Sequence, residues 1–232
     1  MTEVTDKVMR PDPPTIWESA YSESYEASNY GKGLSGWVLT TSHKLIEANF
    51  RHSDKFSKIL EVGAGTGFHF DCVKHSFDEY WMTDNSAAML DQIKARMHDP
   101  RIRTSVEEGR ALSFPDNHFD RVIACHVLEH LYEPHLALRE WYRVLKPGGV
   151  LSIVLPCDPG LLWRIGRNFG PRRKAKKNGL DYDYVMAREH VNPINNLVAF
   201  LRYYFSDRDE CWWPTRLPYS DINLIYSVNI RL

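Results

Sequence analysis

The stretch "ILEVGAGTGFHF", residues 59 to 70, constrains this chain more than any other. It places Gly63, Gly65 and Gly67 within five positions, directly after an apolar run, with Glu61 two residues before the first glycine. Glycine lets a strand end in a sharp turn and lets a ligand lie against bare backbone. In an open α/β sheet, ligands bind at the carboxyl ends of the strands. A dinucleotide loop of the GxGxxG type needs its third glycine at position 68, which is Phe68 here. The GxGxG spacing therefore points away from a pyrophosphate and toward a ligand without phosphates.

Downstream, the pattern alternates. "EYWMTDN" reads as a short strand ending at Asp84, and Asn85 can cap the helical "SAAMLDQIKARM". "RIRTSVE" and "FDRVIAC" read as the third and fourth strands, the latter apolar enough to be buried on both faces. Pro134 opens a helix with Leu138, Trp141, Tyr142 and Leu145 on one stripe; "KPGG" stops it, and "VLSIVLP" is a fifth strand. Pro193 opens another helix, with Ile194, Leu197, Val198, Leu201 and Phe205 on one face. The terminal "DINLIYSVNIRL" alternates with period two and pairs with "ECWWPTRLP" as an antiparallel hairpin at the sheet edge. This βαβ rhythm predicts a mostly parallel sheet with helices on both faces.

The 232 residues fit one large domain. Residues 1–15 carry three prolines and few large apolar groups and read as a loosely attached terminus. Residues 16–53 read as a helical cap rich in Trp17, Tyr21, Tyr25, Tyr30 and Trp37, and 54–232 as the main domain. Residues 157–192, irregular, basic and aromatic, read as an insertion that binds the acceptor. A net charge of −1 excludes a general electrostatic pull toward nucleic acid. No apolar run approaches a membrane span and the N-terminus has no hydrophobic signal core, so a cytoplasmic location is expected. The four scattered cysteines form no C-x-x-C pair, and their spacing suggests neither a metal site nor disulfides.

Acids at successive strand ends suit a cofactor with a ribose, an adenine and an ammonium group. Asp84 can accept both ribose hydroxyls, Glu108 beside the Gly109 N–H suits an adenine edge, and Glu61 under the loop suits a cation, directly or through water. "ILEVGAGTGFH", "DNSAAML", "ALSFPDNHFDRVIACHVLEHL" and "RVLKPGG", in that order over residues 58 to 155, resemble the successive motifs of class I S-adenosylmethionine-dependent methyltransferases. The likeness is to the small-molecule type that includes quinone- and sugar-methylating enzymes. It implies a Rossmann-like, seven-stranded, mostly parallel sheet with one antiparallel edge strand and helices on both faces. It implies S-adenosyl-L-methionine as cofactor, with Gly63, Ala64, Gly65 and Gly67 near the methionine part. Asn85 and Met89 would then flank the adenosine, and Cys125 or His126 would border the sulfonium. Glu107-Glu108 stands where the family usually has Gly-Asp.

Methyl transfer is an in-line displacement, so the protein mainly positions the acceptor; a hydroxyl acceptor also needs a base. His126, after the fourth strand, and His190, in "REHVNP", are the candidates. Asp158 is a third, and Glu129 and His130 in "HVLEH" rank lower. The run "RIGRNFGPRRKAKKNG", 164–177 above all, reads either as a solvated loop or as a docking site for phosphate or a membrane face. Trp163, Phe169, Tyr182 and Tyr184 offer stacking surfaces. The expected acceptor is a small molecule or glycan, with a sugar or lipid-linked saccharide first and a quinone or lipid carbon second. A cofactor-binding partner without catalysis is the reading from another class.

Overall fold

The computed structural model describes residues 33–169, 171–177 and 181–232. The expectations for the loose terminus, for Trp17, Tyr21, Tyr25 and Tyr30, and for the ring of Phe169 lie outside the described residues. Seven strands form a single sheet: β1 (Lys55–Val62), β2 (Ser76–Asp84), β3 (Ile102–Val106), β4 (Phe119–Cys125), β5 (Leu145–Pro156), β6 (Arg208–Trp213) and β7 (Ile225–Arg231). Their order is β3-β2-β1-β4-β5-β7-β6. The first five are parallel; β7 runs antiparallel to β5, and β6 pairs antiparallel with β7 to close the edge as the expected hairpin. Strand order reverses between β1 and β4, which opens a crevice at their carboxyl ends.

Helices cover both faces because β1, β4 and β5 are apolar on both. On one face, α3 (Pro134–Val144) and α7 (Ile194–Tyr204) bury Leu138, Trp141, Leu197 and Leu201 against Leu60, Val122 and Leu151. On the other, α1 (Leu34–Glu47) and α2 (Ala87–Arg96) bury Val38, Ile46, Leu90 and Ile93 against Ile59, Tyr80 and Ile123.

Some boundaries differ from the sequence reading. Ser86, not Asn85, is the N-cap of α2, and it caps without a side-chain hydrogen bond. Ala137 and Val144 complete the buried stripe of α3, while Tyr142 is 57% exposed. The segment expected to be irregular forms three short helices: α4 (Leu161–Phe169), α5 (Pro171–Lys177) and α6 (Tyr182–Glu189). The sequences of α5 and α6 are basic and weakly apolar and carry no clear helical period, whereas "LLWRIGRNF" in α4 does carry one, with Leu161 and Ile165 one turn apart.

The "FDRVIAC" strand also carries a charge into the core. Arg121 is fully buried. Its Nη2 lies 2.6 Å from Glu47 Oε1, its Nε donates to Ser152 Oγ at 3.0 Å, and its Nη1 reaches His75 Nε2 at 2.7 Å. Its guanidinium carbon lies 4.1 Å from the Phe50 ring centroid. Ser152 donates onward to Asn229, whose amide donates to the Ile46 carbonyl. One cation thus fastens the end of α1 to β4, β5 and β7. Burial alone would raise the Glu47 carboxyl, but the hydrogen bond from His69 and the Arg121 charge hold it down to about 2.

Removing one partner of a buried pair leaves the other charge unmatched, at a cost of about 3–5 kcal/mol. Glu47→Leu alone should therefore destabilise by about that amount, and Glu47→Leu with Arg121→Met should recover part of it. Urea denaturation of both variants checks this. A single variant costing under about 1 kcal/mol, within the range of an exposed pair, would contradict it.

Candidate cofactor site and acceptor edge

β1 ends at Val62 and the chain turns through Gly63, Gly65 and Gly67, with φ of +65°, +55° and +78°. All three lie in the left-handed region that favours glycine. A Cβ at Gly63 would meet Val127 Cγ2 at 2.5 Å, and one at Gly67 would meet Met97 Cε at 2.9 Å. Among the described residues a Cβ at Gly65 would meet nothing within 4 Å, so against these this peptide is open. The Gly65 N–H donates to Asp84 Oδ2 at 2.9 Å, and Asp84 Oδ1 accepts from the Ser86 N–H at 2.9 Å. A carboxylate has about four acceptor sites, so with these N–H groups in place it still has capacity for a further donor. Burial pushes the Asp84 carboxyl up, against the pull of the N–H groups of Ser86, Gly65 and Asn85. The buried Ala64 donates its N–H to the Thr83 carbonyl and ties the turn to β2.

Beneath the turn, Glu61 is buried and accepts from the Tyr80 hydroxyl at 2.8 Å. Burial raises its carboxyl above the ordinary range. Glu61 props the turn from inside the sheet. Asn85 is exposed, and Met89 is buried in the first turn of α2.

The two acids after β3 divide their work. Glu107 accepts from the Ser105 hydroxyl at 2.7 Å, the Ser113 hydroxyl at 2.6 Å and the Ser113 N–H at 2.9 Å, closing the loop from 105 to 113. Glu108 is exposed, and its carboxylate pairs with Arg110 at 2.7 Å. The Gly109 carbonyl accepts from the Trp141 indole at 2.8 Å. An adenine edge at this position would meet the Gly109 backbone and a Glu108 already engaged by Arg110.

Across the crevice, β4 ends at the buried Cys125, and His126 follows with φ +58°, a conformation that a side chain adopts only where its surroundings impose it. His126 Nε2 lies 2.9 Å from Ser42 Oγ. Ser42 gives its own proton to the Leu39 carbonyl, so His126 Nε2–H is the donor in that contact. His126 Nδ1 lies 3.6 Å from Glu129. Next to it, His43 Nδ1 is 3.1 Å from His69 Nδ1, and His69 Nε2–H donates to Glu47 at 3.1 Å. Ser42, His43, Glu47 and His69 were absent from the sequence reading. The available signal was "SHKLIE", where His43 and Glu47 stand one helical turn apart on the face that also buries Val38 and Ile46.

At the far side of the edge, His190 Nδ1 lies 2.9 Å from Asp158 Oδ2, which also accepts from Arg167 at 3.0 Å. The His130 and His190 rings meet edge to face at 4.8 Å, and His130 Nδ1 donates to the Glu189 carbonyl. Burial alone would raise the Glu129 carboxyl, but contacts from His126 and His130 hold it below its usual range. Four sequence candidates, His126, His130, Asp158 and His190, therefore line one edge, bridged by Glu129.

The donors fit an adenosyl sulfonium better than a dinucleotide. The turn leads into a five-residue 3-10 helix, Phe68–Cys72, rather than a long α-helix whose N-terminus could take a pyrophosphate. Asp84 offers acceptors beside the open Gly65 peptide, as ribose hydroxyls require.

Glu107 carries a test of the loop that frames this crevice. Its burial would raise the carboxyl, but the hydrogen bonds from Ser113 and Ser105 leave it below the ordinary range. A depressed folded-state pKa contributes stability that is present above about pH 4.3 and is lost as pH falls below it. Glu107→Gln should lower stability by about 1–2 kcal/mol at neutral pH and flatten that acid limb. Denaturation midpoints measured between neutral and strongly acidic pH check this; an unchanged acid limb would contradict it.

Residues 60–153 match the family described as "Methyltransferase domain". The ubiquinone/menaquinone biosynthesis C-methyltransferase UbiE of Neisseria meningitidis is 33% identical over 116 residues, 48% of this chain and 47% of that protein. The chain thus spans about half the length of the curated relatives it matches. In fold, a SAM-dependent methyltransferase of Aquifex aeolicus superposes with a TM-score of 0.59 at 17% identity, covering 90% of this chain and 97% of that one. The [4+2]-cyclase SpnF superposes with a TM-score of 0.62 at 17% identity, covering 95% and 97%. A cyclase on the same scaffold shows that the fold alone does not decide the reaction. Its glycine turn, the acid at the tip of β2 and the matched region, residues 60–153, make this chain similar to the class I S-adenosylmethionine-dependent methyltransferases.

Proposed function

We propose that this chain transfers the methyl group of S-adenosylmethionine to a small lipophilic acceptor bearing an ionisable hydroxyl. The observation that carries this reading is the His190–Asp158 pair at the carboxyl edge. Asp158 accepts the His190 Nδ1–H, which leaves Nε2 with the lone pair that can take a hydroxyl proton. His126, the other candidate, has Nε2–H committed to Ser42 and Nδ1 facing Glu129, so the geometry favours His190 as the base. The bound cofactor would supply the electrophilic methyl group. The protein's part is to hold the adenosine with Asp84 and the open Gly65 peptide, to roof the crevice with α1, and to line up the acceptor oxygen or ring carbon.

The similarity to UbiE favours a quinol-type ring, methylated on carbon after its hydroxyl loses a proton. The sugar or lipid-linked saccharide has a second support. α4 exposes Leu161 and Ile165, with Arg164 on the same helix and Arg172, Arg173 and Lys176 on α5. An apolar stripe beside cations suits a lipid surface that carries phosphate. Both acceptors share a hydroxyl and an apolar anchor. Among the described residues no helix is long and apolar enough to cross a membrane, so contact with such a surface would be peripheral.

Formation of S-adenosylhomocysteine, followed by mass spectrometry with prenylated hydroquinones, nucleotide sugars and lipid-linked saccharides, tests the reading. One hydroxyl-bearing class should turn over, and His190→Asn should lower kcat about 10²- to 10⁴-fold while leaving cofactor affinity unchanged. Cofactor binding without turnover of any of them would favour a partner that binds the cofactor but does not catalyse.

A further inference from the structure

Three soft donors from three separate elements meet under the roof helix. His43 comes from α1, His69 from the 3-10 helix after the glycine turn, and Cys125 from the tip of β4; all three are buried. One donor atom from each lies within 4.8 Å of the other two. We propose that His43, His69 and Cys125 hold a zinc ion that clamps α1 to the cofactor edge of the sheet.

Two of the three separations suit that ion closely. Zn–N bonds of about 2.0–2.1 Å and Zn–S bonds of about 2.3 Å at a tetrahedral angle put the two nitrogens about 3.3 Å apart and nitrogen and sulfur about 3.6 Å apart. The observed separations are 3.1 Å between the imidazole Nδ1 atoms and 3.7 Å between Cys125 Sγ and His69 Nδ1. The partners behind these donors suit it too. His69 Nε2–H donates to Glu47, whose carboxylate is held by Arg121, and this fixes the tautomer with the lone pair on Nδ1. Such carboxylate–histidine support is how proteins orient imidazole ligands. Two imidazoles and a thiol select zinc over magnesium or calcium, which take oxygen ligands. On binding, the Cys125 S–H gives its proton to solvent and the sulfur bonds to the metal. Three protein ligands leave a fourth position for water.

The competing account is a metal-free His43–His69 hydrogen bond beside an unreactive thiol. The two separate without reference to methyl transfer. The full chain, stripped with a chelator, is titrated with Co²⁺ and then with Zn²⁺. One Co²⁺ per chain should bind, with tetrahedral visible bands and a thiolate-to-cobalt charge-transfer band, and Zn²⁺ should displace it and raise Tm. Cys125→Ser should lose the charge-transfer band and His69→Gln the tight binding, while Cys211→Ser should keep both. Should the site variants fail to fold, X-ray absorption on the zinc-loaded wild-type chain decides: one sulfur and two imidazoles in the first shell support the site. A folded wild-type chain that binds neither metal stoichiometrically, a charge-transfer band that survives Cys125→Ser, or a first shell without sulfur would overturn it.

Discussion

A guanidinium with no access to water cannot be left alone, and the burial of Arg121 in the middle of the sheet governs much of what surrounds it. Its matching anion comes from Glu47 at the end of α1, not from a neighbouring strand. Charge balance thus ties the last residue of the first described helix to the sheet. It also decides that the polar face of that helix, Ser42 and His43, enters the crevice beside His126 and His69. Folding energy and site geometry are here one set of contacts, since the residue that neutralises the core cation also orients a histidine at the cofactor edge.

The second constraint is backbone conformation. Three left-handed residues after β1 can be glycine for different reasons. Gly63 and Gly67 are pressed by Val127 and Met97, so protein packing demands them. At Gly65 a Cβ would meet nothing within 4 Å among the described residues, so their packing does not demand a glycine there. Its N–H lies on Asp84, which brings the open peptide and the acid at the β2 tip together at the reversal of strand order. The acceptor side is assembled separately, where Asp158 after β5 and His190 before α7 meet across the same edge.

Much of this was legible in the sequence because it is local. Strand periodicity, the glycine spacing, Pro134 at the start of α3 and the apolar face of α7 each express themselves within a dozen residues. The strand-end position of Asp84 followed from the same rhythm. What could not be read depends on long-range pairing. Arg121 looked like an interruption in an apolar strand until Glu47 and Ser152 met it. His43, His69 and Cys125 carry no spacing signal, because three elements distant in sequence bring them together. The acids after β3 show what position alone cannot: Glu108 pairs with Arg110 at the surface, and Glu107 staples the loop. The basic segment after β5 looked irregular because α5 and α6 are short and carry no apolar period, although α4 does, in Leu161 and Ile165.

The account rests most heavily on the cradle formed by Gly65 and Asp84, and calorimetry with S-adenosylhomocysteine tests it directly. The wild-type chain should bind one equivalent, and Asp84→Ala should weaken binding about 10- to 100-fold, the worth of hydrogen bonds to a charged acceptor. A folded wild-type chain that takes up no S-adenosylhomocysteine, or an Asp84→Ala variant that binds it equally well, would contradict the account.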